Sequence, residues 1–163
     1  MHLRTWPSST TSTSTRASDL PRHGFLFAYV SADDRDHARV AEVLEAHRGQ
    51  RLADFLLTTN HVVAETITLV SRRGHRDPGI RHDLAVQVGR QLHAGVFGQV
   101  HHASAEEELE AFAYFERHRD KSYSIVDCLS FLIMEKRGIR EAWAVDEDFT
   151  HRFVARPGPP QRP

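Results

Sequence analysis

The sequence predicts an α/β domain with a mostly parallel central sheet flanked by helices. Three observations carry that reading. Residues 55–59, 96–102 and 141–145 are short apolar runs of strand length. Longer stretches with apolar residues at helical spacing separate them. Strands alternating with helices give a parallel sheet covered on both faces. No internal repeat is visible, and 163 residues are enough for one domain with a real core.

Residues 1–22 are expected to be a disordered Ser/Thr-rich segment. Their run SSTTSTSTRAS has no apolar period and little to bury. The segment also lacks the apolar stretch of a secretory signal. Residues 23–154 are then the domain, and 155–163 a Pro-rich, extended tail.

Within the domain, GFLFAYV at 24–30 is too short to assign to helix or strand by period. Asp33, Asp34 and Asp36 offer caps to a helix with Val40, Ala41, Leu44 and His47 in register, stopped by Gly49. Residues 55–59 make a buried strand. Asn60 is expected to cap the next helix, with Val63, Ile67 and Val70 on one face and Gly74 as its stop. Asp77-Pro78 is a cap followed by proline at the first helical position, leading Ile80, Leu84, Val88 and Leu92 towards Gly95. Residues 96–102 form a second strand. Ser104 with Glu107 is a capping box opening a helix through Leu109, Phe112 and Phe115. Ser124 with Asp127 repeats the device before an apolar helix at 125–136, stopped by Gly138. Residues 141–145 are the last strand.

Hydrophobic residues at 40% and charged residues at 26% are ordinary for a soluble globular protein. No run of 18 apolar residues exists, so no membrane helix is expected. The single cysteine, Cys128, cannot form an internal disulfide, which fits a reducing cytoplasm. The net charge of −1 gives no general attraction to nucleic acid, so RNA contact would rest on local basic clusters. One is Arg72, Arg73, His75 and Arg76; another is Arg117, Arg119 and Lys121. Both also suit solvated helix ends, where cations offset the helix dipole. The twelve histidines show no zinc spacing and are read as surface residues.

In parallel sheets, function lies beyond the carboxyl ends of the strands. Three acids fall there. Glu65 is in the second turn of the helix after 55–59, Asp127 in the first turn of a helix, and Asp146 directly after the last strand. Singly, each has an ordinary structural explanation as a cap or a solvated side chain. Together with their flanks they do not. LLTTNHVVAETITLVSRRG resembles the second segment of PIN domains: a strand ending in threonines, then a helix with a glutamate before an arginine-rich end. YSIVDCLSFLIMEKRGIREAWAVDEDF resembles the third and fourth segments, with Ser124, Asp127, Gly138, Ile139, Asp146 and Phe149 at the matching positions. The ADDRDHARV stretch, with His37 and Ala38, fits the first loop and second helix.

The resemblance spans about residues 24–153 and is to PIN-domain ribonucleases of the VapC toxin type. It implies a PIN-like fold and a cytoplasmic, metal-dependent endoribonuclease. Glu65, Asp127 and Asp146 would bind Mg²⁺ or Mn²⁺, Ser124 would support the site, and Arg72 and Arg73 would contact RNA. It also implies an RNA substrate, an antitoxin partner, a homodimer and no membrane. The chemistry is coherent, because crowded carboxylates repel one another and a hard divalent cation with oxygen ligands relieves that repulsion.

One departure stands out. PIN domains open with a buried strand ending in an aspartate, and alignment on Gly24 puts Pro21 at that position. Nothing before Gly24 has the apolar run of a central strand. The sheet is therefore expected to lack its first strand, exposing the edges of its neighbours and weakening the protein. That departure motivates the alternative function, a PIN-fold module without catalysis that binds RNA or a protein partner. A third possibility is an unrelated metal-dependent phosphoesterase.

Overall fold

The computed structural model describes residues 19–145 and 154–155. The elements in order are β1 (Asp19–Pro21), α1 (His23–Val30), α2 (His37–Ala46), a 3₁₀ turn (Leu52–Asp54), β2 (Leu57–Thr59), α3 (Asn60–Arg73), α4 (Pro78–His93), β3 (Gln99–His101), α5 (Ala105–Arg117), α6 (Ile125–Arg137), β4 (Glu141–Trp143) and β5 (Val154–Ala155). Every described ladder is parallel. β1, β4 and β5 form one sheet with β4 in the centre, and β2 pairs with β3. Thr58 in β2 reaches across to β1 by donating its hydroxyl to the Pro21 carbonyl.

The strands divide two cores, and the division follows from the period of two along a strand. On β4 and the residue after it, Ala142 and Ala144 join one core and Trp143 the other. At β2, Leu56 and Leu57 likewise part to opposite sides. The first core gathers the apolar sides of α1, α2, α3 and α4 around Trp143, whose ring lies 5.3 Å from Phe25 and 5.0 Å from His47. The second gathers Leu20, Ala111 and, from α6, Leu129, Phe131, Ile133 and Met134.

The expected absence of a first strand is corrected. β1 pairs in register with β4, Leu20 against Ala142, and Leu20 is fully buried. β4 is consequently paired on both sides, and the packed domain begins before residue 23. Three residues suffice because Leu20 anchors the strand in the core, so no long apolar run marks it. GFLFAYV belongs to the helix α1. The other strands are shorter than expected, since Phe55 is in a turn and β4 stops at Trp143.

Most caps hold. Asp77 accepts from the Gly79 and Ile80 backbones, and both capping boxes form. At α3 the cap is Thr59, one residue before the expected Asn60. Asn60 instead accepts from the Ala103 backbone, tying the start of α3 to the chain leaving β3. Gly138 ends α6 at φ 67, in the left-handed region that favours glycine. Gly98 has φ 129, and a Cβ there would come within 3.1 Å of the Leu56 carbonyl oxygen, so only glycine lets β3 close on β2.

Two helical faces differ from expectation. Ile80 is exposed, the buried face of α4 being Ala85, Val88, Gly89 and Leu92. Leu109, Phe112 and Phe115 on α5 face solvent, while Ala111 faces the core. The histidines are not uniformly on the surface either. His37 and His47 are half-buried and hold backbone carbonyls, and His101 pairs with Glu107. Among the described residues no helix is long and apolar enough to cross a membrane.

Candidate active site

β1 delivers the chain to the carboxyl end of the sheet, and the next residue is Arg22. Its backbone is fixed on both sides: the N–H donates to the Trp143 carbonyl at 3.0 Å, and the carbonyl accepts from Leu26 N at 3.0 Å. From that anchor the guanidinium pairs with the Asp127 carboxylate. Both groups are buried, Arg22 at 3% exposure and Asp127 at 6%. The neighbouring residue, His23, brings Nδ1 to 2.9 Å from Glu65 Oε2. That contact is not an aligned hydrogen bond, and among the described residues neither of these buried atoms has a hydrogen-bond partner.

Asp127 is placed by its helix. Ser124 caps α6, its hydroxyl accepting from Asp127 N at 3.2 Å, and Asp127 Oδ2 accepts from Ser124 N at 2.8 Å. The carboxylate therefore faces the N-terminal end of α6. The capping role suggested by sequence is realised, and Asp127 carries the Arg22 pair as well. Cys128, directly behind it, is buried, and burial together with the Asp127 charge pushes its thiol up to about 11. It is not a nucleophile at neutral pH.

Glu65 lies in the second turn of α3, after the buried threonines Thr58 and Thr59. Arg72 is seven residues further on, about 10 Å along the same face of the helix. Arg72 and Arg73 are both exposed in its last turn. Two of the three predicted acids, one from α3 and one from α6, thus meet consecutive residues of one segment. Asp146 lies outside the described residues.

Carboxylate oxygens suit a hard divalent cation. Glu65 Oε2, buried and without a hydrogen bond, is an acceptor that such an ion would satisfy. Against this stands Arg22, already on Asp127. Among the described residues no group of three or more acids, histidines or cysteines is gathered in the manner of a metal cage. Sequence reasoning missed Arg22 and His23, although the signal was present: two basic residues stand just past Pro21, where the resemblance asks for an acid.

Comparison with known proteins gives the family and the fold. The PIN domain family matches residues 24–152. The 23S rRNA-specific endonuclease VapC20 of Mycobacterium tuberculosis is 38% identical over 96 residues, covering 58% of this chain and 67% of that protein. The same identity and coverage are found in both the CDC 1551 / Oshkosh and H37Rv strains. The crystal structure of M. tuberculosis VapC20, described as a sarcin-ricin loop cleaving toxin, superposes with a TM-score of 0.71 at 30% identity, covering 84% of this chain and 97% of that one.

Proposed function

The chain belongs to the PIN-domain family, and we propose that it is a metal-dependent endoribonuclease of the toxin–antitoxin kind, acting in the cytoplasm. The observation that carries this reading is the match of the PIN family over residues 24–152, together with 38% identity to a 23S rRNA-specific endonuclease. Asp146, which follows β4 in sequence, is proposed as the third acid. Ser124 orients Asp127 through the capping box, and the exposed Arg72 and Arg73 offer cations to the phosphate backbone.

The ion proposed is Mg²⁺ or Mn²⁺, which when bound acidifies a water and stabilises charge on a phosphodiester. Glu65, Asp127 and Asp146 would hold it. Cys128, buried and protonated, is not placed to act as a covalent nucleophile. The first substrate to test is a 23S rRNA stem-loop, because the 38%-identical relative is specific for 23S rRNA. An antitoxin protein and a second copy of the chain are proposed as partners on the family resemblance.

The experiment is cleavage of that RNA by the purified full chain with added Mn²⁺ or Mg²⁺, against chelator and against Asp127→Asn. Cutting that needs both metal and Asp127 is the expected result. A folded protein that binds the RNA without cutting it under any metal condition would replace this reading with the binding module.

A further inference from the structure

The charge at the end of β1 is reversed. Resting on the nuclease reading, we propose that Arg22 is an internal counter-cation that holds the place of the divalent ion at Asp127. The acid is kept neutralised in the metal-free protein and is surrendered to a metal only when the guanidinium swings away.

Four observations support this. Arg22 and Asp127 are both buried, so their pairing is not a solvent-screened surface contact. A guanidinium remains charged at any physiological pH, so the pairing does not lapse by loss of a proton. The Arg22 backbone is locked into β4 and α1, so the side chain can leave Asp127 only by changing its own rotamer. Lastly, Asp127 Oδ2 is occupied by Ser124 N and Oδ1 by Arg22, so neither oxygen is idle. A cation arriving at Asp127 must displace Arg22 or share the carboxylate with a like charge, and like charges in a partly desolvated place repel strongly. His23 beside Glu65 adds a second contact of an imidazole with an acid, its two meeting atoms buried. The matched family segment begins at Gly24, just past these two residues.

The test uses Mn²⁺ alone, titrated into metal-free full-length protein and followed by the electron paramagnetic resonance signal of the free ion. Arg22→Gln should bind Mn²⁺ about tenfold tighter or more than the natural chain, since a buried like charge has been removed. Arg22→Lys, which keeps the charge, should bind as weakly as the natural chain. In chelator, Arg22→Gln should also melt lower than the natural chain, and Mn²⁺ should close that gap while barely moving the natural protein. Equal Mn²⁺ affinity in the natural chain and Arg22→Gln overturns the inference and leaves the nuclease reading standing on its cleavage assay. Absence of binding to either protein overturns the inference too, because removing Arg22 has then opened nothing. Should Arg22→Gln not fold in chelator, the titration becomes a refolding assay. Recovery of helical circular dichroism on adding Mn²⁺ supports the inference, and no recovery overturns it.

Discussion

Leu20→Ala is the sharpest probe of the short strand that begins the domain. Leu20 is fully exposed in any unfolded chain and has 0% exposure in the fold, in the core that includes Leu57, Met134 and Ala142. Truncating a buried leucine removes its transfer free energy and leaves a cavity, together about 3–5 kcal/mol where the surroundings cannot collapse. β1 has only three residues and can adjust, so the lower value, about 3 kcal/mol, is expected. With a urea dependence of about 2 kcal/mol per molar, the midpoint should fall by about 1.5 M at unchanged slope. The assay is urea unfolding followed by far-ultraviolet circular dichroism. A shift worth less than about 0.5 kcal/mol, the size of a surface substitution, would refute the burial of Leu20 and with it the β1–β4 ladder.

Other consequences are open to equally direct measurement. Ser124→Ala removes the hydroxyl that caps α6 and should cost about 1 kcal/mol in urea unfolding, with Ser124→Thr restoring most of it. The Glu107 carboxyl is held below its ordinary 4.5, first by the Ser104 backbone N–H and then by His101. A lowered folded value stabilises above the unfolded value and is lost as pH falls through the folded one. Acidification below about 4.5 should therefore destabilise the natural chain more than Glu107→Gln, as read by melting temperature against pH. Cys128 is buried with its thiol pushed up to about 11, so a thiol reagent should label it only as fast as the protein unfolds. Rapid stoichiometric labelling of the native protein would contradict that placement.

How legible the fold was depended on how local its signals are. Caps and stops at Asp77, Ser104, Ser124 and Gly138 lie within a few residues of what they satisfy, and the structure realises all of them. The periodicity of α3 placed Val63 and Val70 in the core correctly. β1 was missed because its partner, β4, is far away in sequence, and a strand of three residues has almost no pattern of its own. The exposure of Leu109, Phe112 and Phe115 was equally invisible, since periodicity marks an apolar face without saying what covers it. At the site, Glu65 and Asp127 could be found because sheet topology places them. Arg22 could not be ranked, because its meaning depends on a contact across 105 residues.

That separation bears on the order in which the molecule can be made. β1 is translated before its partner, and among the described residues its only ladder partner is β4, more than a hundred residues later. Non-local parallel pairing of this kind is slow and waits on loop closure. A nascent chain that has not yet delivered residues 141–143 gives Leu20 no sheet to join and gives Arg22 no Trp143 carbonyl to hold it in register. Helices α1 to α5 can form vectorially as they emerge, but the acidic end of the sheet cannot close until residues 141–143 have been delivered. For a ribonuclease proposed to attack ribosomal RNA, assembly of the site is thereby deferred until a segment more than a hundred residues downstream of Arg22 has emerged.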